Sequence, residues 1–459
     1  MKEPSGIQRK KALFYRDWTK GSIVRNLLIL AWPISIGSIL NMLGPTIDMI
    51  WVGRLGANAM AGVGVAGMAV VLLNSARMGL NTGTRALIAR AVGADNYEEA
   101  NHVVQQAFVV SAFFSVFMAV IGIFFAESIL RAFGVEPEVV REGTAYLQIM
   151  FIGSVAMSFR MMVEGIMQAS GDTMTPMRIN ISFRVFHIIL CPFLVFGWWI
   201  FPRLEVSGAA LTNVISQSLG VFLGLWILFS GRSRLLLNLR NFRIDFHTIW
   251  RIVRIGFPAT VTGVERTFAN VILMTFIVPF GTAAVVAQTI CDRVSNLLHM
   301  PAMGFGRSAG VLAGQNLGAK QPGRAEKSAW IAVGLCTGFM VIGSVFIWFL
   351  AEDIVRIFSN DPDVLLITSG FLRIAIGSYL VFGVTMVLTE SLTGVGDTMV
   401  PMVTTLITMW GIQVPLAYFL SKTPIGAYGV RWAIVTAIVI RAIIYALYFR
   451  LGKWKYKKV

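Results

Sequence analysis

The sequence has little charge for its length. Of its 459 residues only 14% are charged, whereas 56% are hydrophobic. A soluble protein of this size needs more charge to cover its surface, so the composition excludes an ordinary soluble domain. Cysteine is scarce as well. Cys191, Cys291 and Cys336 all lie in apolar stretches, where lone cysteines usually pack as small apolar residues, and we expect neither disulfides nor a metal site.

What the chain does contain is a series of apolar runs. A helix needs ~20 apolar residues to cross the hydrocarbon of a bilayer. Charge-free runs of that order are found at Asn26–Ile47, Leu55–Ala76, Val103–Ala126, Val206–Gly231, Thr267–Cys291, Ser328–Ala351 and Thr398–Ser421. Shorter or lightly interrupted runs are found near 143–168, 179–202, 282–306, 367–392 and 428–449. We therefore predict an all-α polytopic membrane protein with twelve transmembrane helices. The polar, basic N-terminal segment has no apolar core, so we do not expect a signal peptide.

The net charge of +16 is distributed in a way that argues against nucleic-acid binding. Basic residues are concentrated in three segments: Lys2, Arg9, Lys10, Lys11, Arg16, Lys20 and Arg25; Arg232, Arg234, Arg240 and Arg243; and Arg450, Lys453, Lys455, Lys457 and Lys458. Two intervening loops are acidic, with Glu127, Glu136, Glu138 and Glu142, and with Glu352, Asp353, Asp361 and Asp363. With twelve spans, all basic segments lie on one face, as the positive-inside rule expects of the cytoplasmic side. We expect both termini in the cytoplasm and contact with anionic lipid headgroups.

An internal repeat runs through most of the chain. The stretch "SGDTMTPM" at 170–177 returns as "VGDTMVPM" at 395–402. The same offset relates Trp32-Pro33 to Phe257-Pro258, Gly56 to Gly281, Gly93-Ala94 to Gly318-Ala319, Ala126-Glu127 to Ala351-Glu352, and Pro137 to Pro362. A constant offset over half a chain indicates duplication. Six spans per half is an even number, so the repeats are parallel and the transport pathway lies between them. We place the N-lobe at residues 1–235 and the C-lobe at residues 236–459.

The repeated turn has the residues of a helix–helix connection. Gly171 and Gly396 allow a tight reversal, Asp172 or Asp397 can cap the next helix, and Pro176 and Pro401 suit its first turn. We interpret both copies as cytoplasmic turn motifs.

Several motifs together resemble the multidrug and toxic compound extrusion (MATE) family, within the wider multidrug/oligosaccharidyl-lipid/polysaccharide exporter superfamily. They are "AWPISIGSILNMLGPTIDMIWVGRLG", "RAVGADNYEEA", both GDT-x-x-P turns and "MPAMGFGRSAGVLAGQNLGA". The resemblance implies two six-helix lobes that form a V-shaped cleft and exchange cationic or amphipathic drugs for H⁺ or Na⁺. The residues alone indicate only a duplicated, twelve-span carrier with a site near the bilayer midplane.

Asp48 is the strongest candidate for an ion-coupling or substrate-binding residue. It lies deep in the first span, and an ionisable group at membrane depth is costly enough to suggest a function. The resemblance places the family's first-span carboxylate at this position. Pro33 in the same span, and its counterpart Pro258, supply kinks that could serve gating. The alternative is that Asp48 only pairs with a neighbouring arginine such as Arg184.

The fifth and sixth spans carry further candidates. The family has Asn and, four residues later, Asp in the fifth span, whereas this chain has His187 and Cys191, which share one helix face. Thr212 and Asn213 lie near the family's hydroxyl position in the sixth span. Sodium is a hard cation that favours oxygen ligands, whereas histidine changes charge near neutral pH, so we predict coupling to H⁺ rather than Na⁺. The alternative for His187 is a hydrogen-bonded packing residue.

Glu265 and Asp292 are the C-lobe candidates. Some branches of the family use a seventh-span glutamate for coupling, and Glu265 falls near that place. The alternative is that Glu265-Arg266 and Asp292-Arg293 take part in interhelical charge pairs that only stabilise the lobe. Arg77, Arg160 with Glu164, Arg184, Arg373 and Glu390 are placed nearer span ends, where we expect snorkelling or pairing.

Three functions fit the pattern to different degrees. The favoured one is a secondary antiporter in the inner membrane, which acts as a monomer on small organic molecules. The second is a flippase for a lipid-linked oligosaccharide or another lipid precursor, which favours a strongly basic cleft. The third is a channel or scaffold, against which the duplication and the paired prolines argue. No phosphate-binding loop, zinc-ligand spacing or nucleophile elbow is present, so we expect neither an enzyme nor a cofactor.

Overall fold

The computed structural model describes residues 16–134, 136–240 and 242–457. That part of the chain is helical and contains no strand, and the predicted all-α class is confirmed. Lys2, Arg9, Lys10 and Lys11 of the N-terminal basic segment lie outside the described residues, as does Lys458 of the C-terminal one.

Each half of the chain forms the helices of six spans. Those of the first half are α1 (Ile23–Val52), α2 (Ala57–Gly93), α3 (Tyr97–Ala132), α4 (Pro137–Ile152), α5 (Ser154–Ser170), α6 (Met174–Phe196) and α7 (Glu205–Phe229). Those of the second half are α8 (Phe246–Ile277), α9 (Thr282–Gly318), α10 (Pro322–Arg356), α11 (Pro362–Gly394), α12 (Met399–Leu406), α13 (Val414–Ser421) and α14 (Ala427–Leu451). A π-helical turn, Ile407–Gln413, joins α12 to α13, so these form one span.

The span count agrees with the sequence, although one span is not strongly apolar. Among the described residues, ten helical segments are long and apolar enough to cross a membrane, and the bent pair α4–α5 makes an eleventh. The twelfth is α9, whose 37 residues are more than long enough. Asp292, Arg293 and Arg307 lower its hydropathy.

Two apolar runs contain breaks that their composition does not reveal. The run Thr267–Cys291 covers the end of α8, the short 3-10 helix Val278–Phe280 and the start of α9, so it is wrong as a single span. The predicted span near 143–168 is bent by 47° between α4 and α5. At the bend, the side chain of Val214 occupies the space that a Cβ on Gly153 would need. Helix α7 therefore packs directly against the backbone there.

The backbone repeats the duplication seen in the sequence. Helices α2 and α9, α3 and α10, α4 and α11, and α6 and α12 each begin at the offset that separates Ser170 from Val395. Asp95 and Lys320, related by the same offset, both have positive φ, at 54° and 58°. Gly171 and Gly396 adopt the left-handed conformation expected of the repeated turn, with φ of 93° and 89°. The two halves are therefore structural repeats.

The two aspartates of the repeated turn have different partners. Asp172 caps α6, because its Oδ1 accepts the backbone N–H of Thr175 at 3.1 Å. Asp397 is fully buried and instead binds the C-terminal region. Its Oδ2 accepts the Tyr448 hydroxyl at 2.7 Å, and its Oδ1 lies 3.2 Å from Nζ of Lys457. Asp172 therefore has the predicted capping role, whereas Asp397 binds side chains of the last helix and the C-terminal tail.

The chain packs as two compact units. Unit 1 contains Ile36–Arg254 and the described part of Met1–Gly21, and unit 2 contains Ser22–Ser35 and Ile255–Val459. Helix α1 thus contributes to both units, and the change falls just after Pro33. Residues 236–254, which the sequence places in the C-lobe, pack with unit 1.

The basic segment between the lobes is bound to the start of α3. Backbone atoms of Asn238 and Arg243 bond the side chains of Asn101, Gln105 and Gln106. Asp245 receives the Thr248 hydroxyl at 2.6 Å and lies 3.1 Å from Nε2 of His102. These hydrogen bonds hold the pKa of the Asp245 carboxyl well below its usual range. The described residues of the segment therefore pack with unit 1.

Candidate functional site

Asp48 lies near the C-terminal end of α1 and is buried, with 1% of its surface exposed. His187 and Cys191, one helical turn apart on α6, both face it. Nε2 of His187 lies 3.1 Å from Oδ1 of Asp48, at ion-pair distance but without hydrogen-bond alignment. The Cys191 thiol lies 4.0 Å from the same oxygen. The structure thus brings together the three residues that the sequence placed opposite one another.

A chain of polar side chains leads from Asp48 to a buried arginine. Nδ2 of Asn213 lies 3.5 Å from Oδ2 of Asp48, and Oδ1 of Asn213 accepts Nε2 of Gln217 at 3.3 Å. Oε1 of Gln217 in turn accepts Nε of Arg160. Because a guanidinium can only donate, Arg160 fixes the orientation of Gln217, and Gln217 fixes that of Asn213. Asn213 therefore presents a donor, not an oxygen, to Asp48.

Arg184 supports this cluster from the preceding turn of α6. Its Nη1 lies 3.4 Å from Nδ1 of His187, and its Nη2 lies 3.5 Å from the carbonyl oxygen of Asn41 on α1. The guanidinium occupies the space beside Gly44 that a Cβ would fill. The absence of a side chain at Gly44 thus makes room for a charge next to His187.

Thr212 is the predicted N-lobe residue whose hydroxyl is already used. It is fully buried, and its Oγ1 donates to the carbonyl oxygen of Gly208 on its own helix at 2.7 Å. That bond uses the hydroxyl proton, so the oxygen can still act as an acceptor at the site.

The cluster borders a cavity of about 580 Å³ in unit 1. A space of this size suits a drug-sized organic molecule. The charged side chains that line it are Asp48, Arg77, Arg160 and Arg184. Much of the remaining wall is methionine: Met49, Met68, Met78, Met150, Met157 and Met161. Methionine is flexible and polarisable, so such a wall adapts to apolar bodies of different shape.

The same three side chains are close enough to hold a metal ion. The ligand atoms of Asp48, His187 and Cys191 lie within 4.8 Å of one another, and no other such group occurs among the described residues. The sequence predicts no metal site because each cysteine stands alone in its apolar stretch. In the structure, however, Cys191 lies next to a carboxylate and an imidazole, which are also metal ligands. The positions of His187 and Cys191 are explained equally well without a metal, because an imidazole N–H and a thiol S–H are both donors that can face the Asp48 carboxylate.

The C-lobe candidates lie in unit 2, in two different surroundings. Glu265 on α8 is buried, with 6% exposure, near the charges of Arg266 and Arg441 and the indole of Trp410. Trp410 belongs to the π-helical turn, and such turns are frequent at functional sites. Asp292 on α9 is half exposed and bonds to Gln288 at 3.0 Å and to Arg431 at 3.3 Å. The Asp292–Arg431 pair joins α9 to α14, so it is an interhelical charge pair of the kind expected if Asp292 only stabilises the lobe.

The two prolines predicted to kink their helices both lie inside continuous helical segments. Pro33 is in α1 and Pro258 is in α8. A proline inside a helix removes one backbone hydrogen bond, so both positions are weak points of their helices. Their part in gating stays a prediction.

Sequence reasoning missed Arg77 and Gln217. The apolar run Leu55–Ala76 ends just before Arg77, which suggested a span end, but α2 continues to Gly93. Arg77 is therefore inside the helix, with 4% exposure, and the expectation that it snorkels or pairs is wrong: no described carboxylate lies within ion-pair distance. Pairing is correct for Arg160, which lies 2.9 Å from Glu164. Gln217 could have been found from its spacing of four with Asn213.

Comparison with known proteins finds relatives along most of the chain. The MatE family model matches residues 33–193 and 258–419, two segments whose starts are related by the same offset as the internal repeats. The chain is 27% identical over 449 residues to the probable multidrug resistance protein YoeA of Bacillus subtilis, with 96% of each chain covered. It is 25% identical over 398 residues to a FAD transporter of Shewanella oneidensis, with 86% of this chain and 87% of that protein covered. A crystal structure of MATE in the bent conformation has the same fold, with a TM-score of 0.89 at 22% identity over 98% of each chain.

Proposed function

Because the chain belongs to the MatE family, whose members are multi-span membrane transporters and not enzymes, we propose that it exports cationic or amphipathic organic compounds in exchange for protons. The proposal places it in the inner membrane of a prokaryotic cell, as a monomer with both termini in the cytoplasm. The bacterial relatives named as multidrug resistance proteins support the substrate class, while the FAD transporter among them marks how far substrates diverge at this level of identity.

The observation that carries the proposal is the environment of Asp48. The carboxylate is sealed from solvent and faces an imidazole, a thiol and an amide N–H, at distances from 3.1 to 4.0 Å. None of these contacts is a short, well-aligned hydrogen bond. A buried charge that is only loosely held can exchange its partner at little cost, which is what a coupling residue requires.

The same environment favours a proton over sodium. Sodium, like other hard cations, is best held by several oxygens. Here His187 and Cys191 offer nitrogen and sulfur, and the Asn213 oxygen is turned towards Gln217. The Thr212 hydroxyl oxygen is the neutral oxygen that remains as a ligand beside Asp48. Asp48 supplies the anionic oxygens almost alone. A proton needs only one such oxygen or the neighbouring imidazole.

Exchange follows from competition for one negative charge. With a proton on the Asp48–His187 pair, the carboxylate is neutralised and has no need of an outside cation. When the proton leaves, the charge can attract the cationic group of a compound in the adjoining cavity. Alternating access then requires that the two loaded states open to opposite sides of the membrane.

The test is efflux from proteoliposomes under separately imposed gradients. We expect a pH gradient in sodium-free buffer to drive accumulation of a fluorescent cationic dye such as rhodamine 123. A sodium gradient at equal pH on both sides should have no effect. Transport that requires sodium would refute proton coupling, and the absence of any gradient-driven transport would refute the exporter assignment.

A further inference from the structure

Arg77 is a buried charge that no carboxylate in the described part of the chain neutralises. Its Nη1 bonds to two neutral groups there, Oδ1 of Asn74 at 2.7 Å and Sδ of Met157 at 3.4 Å. Among the described residues, its Nε and Nη2 have no hydrogen-bond partner, although both are buried. A guanidinium stays protonated in proteins, so the charge cannot be relieved by losing a proton. An unpaired charge in this environment is costly.

The other two arginines around the cavity differ from Arg77, because one has a carboxylate partner and the other lies close enough to Asp48 to interact with its charge. Arg160 lies 2.9 Å from Glu164, and Arg184 lies beside the Asp48–His187 cluster. Arg77 and Arg160 are also near enough to repel each other, which adds to the cost. A space of about 10 Å³ on the other side of Arg77 has room for one water, which could accept a hydrogen bond but could not balance a charge. The missing partner is therefore an anion.

We propose that Arg77 binds an anionic group of the transported compound, a carboxylate or a phosphate, while the compound's cationic group lies at Asp48 and its apolar body against the methionines. The inference rests on the proposed exchange at Asp48 and makes amphipathic zwitterions the preferred substrates among the cationic compounds. Arg77 suits this role because its fork of N–H groups matches two oxygens of a carboxylate or phosphate. Arg77 and Asp48, with opposite charges, line the same cavity.

Two matched dyes isolate the anionic group. Rhodamine 110 carries a free carboxylate, and rhodamine 123 is its methyl ester with the same cationic ring system. Binding to the full-length protein in phosphatidylcholine nanodiscs is followed by fluorescence anisotropy. We expect the acid to bind roughly tenfold or more tightly than the ester, as the loss of a charge-assisted hydrogen bond predicts. Equal binding of the two dyes, or no binding of the acid, overturns the inference.

Variants assign the preference to Arg77. Arg77→Gln should bind both dyes equally, whereas Arg77→Lys, which keeps the charge but loses the fork, should retain part of the preference. Arg373→Gln is the matched control, because Arg373 pairs with Glu352 in unit 2 and lies outside this cavity. A preference that survives Arg77→Gln overturns the assignment. The wild-type comparison of the two dyes stands even if Arg77→Gln does not fold.

Lipid is the other source of an anion, and a second arm separates it. If phosphatidylglycerol in the nanodisc removes the preference for the acid, the anion at Arg77 is a lipid phosphate and the substrate assignment fails. Efflux separates the inference from the proposed function. Proton-driven efflux of the ester without any preference for the acid would overturn the anion site at Arg77 and leave the proposed export function standing. An Arg77-dependent preference without proton-driven efflux of either dye sinks only the proton exchange.

Discussion

Nε2 of His187 lies 3.1 Å from Oδ1 of Asp48, and both side chains are almost completely buried. The two residues come from different helices, α6 and α1, so the pair joins the helix that contributes to both units to a helix of unit 1. A proton gained or lost by this pair changes the charge between α1 and α6, next to Arg184 and Asn213.

Replacement of Asp48 tests whether this charge drives transport. Asp48→Asn keeps the size of the side chain and removes its ionisable proton, so we expect coupled efflux to fall to the level of empty vesicles while folding and insertion are preserved. The readout is drug resistance of cells at matched expression, with Asp363→Asn, exposed in the first turn of α11, as the control. Normal resistance with Asp48→Asn would rule the role out.

The identity of the ion is tested by restoring the family's ligands in the fifth span. His187→Asn together with Cys191→Asp adds an anionic oxygen and an amide oxygen next to Asp48. We expect the double variant to gain sodium-driven efflux and to lose part of its response to a pH gradient. If its ion dependence equals that of the wild type, the N-lobe cluster is not the coupling site.

The space beside Gly44 is predicted to be needed for coupling. Gly44→Ala places a methyl group where the Arg184 guanidinium lies, so Arg184 must move away from His187. We expect the rate of coupled efflux to fall several-fold with little loss of expression. Gly338→Ala is the control, because nothing lies within 4 Å of the Cβ it would add. Equal rates for the two variants would contradict a positioning role for Arg184.

Topology can be tested with thiol reagents, because Cys191, Cys291 and Cys336 are all buried and should give little background. Arg240→Cys places a single exposed thiol in the basic segment, and Asp363→Cys places one in the first turn of α11, at the end of the acidic stretch. We expect an impermeant reagent to label the second, but not the first, on intact cells. Labelling of residue 240 from outside would invert the assigned orientation.

The C-terminal tail is predicted to stabilise unit 2 through Asp397. Lys457→Met leaves a fully buried carboxylate with only the Tyr448 hydroxyl, so we expect a loss of about 1–3 kcal/mol in the free energy of unfolding. Thermal unfolding in detergent measures it, with the exposed tail residue Lys453→Met as control. Asp397→Asn in the Lys457→Met background should recover part of the loss. No recovery would mean that Lys457 acts through other contacts.

The sequence predicts the site best where it depends on local spacing. His187 and Cys191 are four residues apart, so a helix alone places both on one face, and the resemblance supplies Asp48 opposite them. The direction of the hydrogen bonds from Arg160 through Gln217 to Asn213 could not be predicted, because it depends on contacts between α5 and α7. Arg77 was misplaced since hydropathy locates the end of an apolar run and not the end of a helix.

The fold, like the site, is predictable where it depends on composition and spacing and not where it depends on contacts between helices. Twelve spans and the duplication are visible as composition and as a constant offset. The bend at Gly153 is not, because glycine is compatible with a straight helix and only the approach of Val214 distinguishes this position. No sequence pattern indicates the π-helical turn Ile407–Gln413 either. It occupies the place in the second half that Ser182–Ile188, including Arg184 and His187, occupy in the first, so the halves diverge in backbone where they diverge in chemistry.

The constant offset between the halves has a meaning for the history and the engineering of the chain. From the start of α2 to the start of α6, every helix whose counterpart is intact begins at the position fixed by that counterpart, so no connection has gained or lost a net residue since the halves separated. The residues that fill these connections have been kept in one place and changed in another. The turns Gly171-Asp172-Thr173 and Gly396-Asp397-Thr398 are identical, whereas Asp95 and Lys320 share a backbone of positive φ but not a charge. Length is what all of these connections have preserved. A loop of one half can therefore be exchanged for its counterpart without shifting the register of any helix that follows.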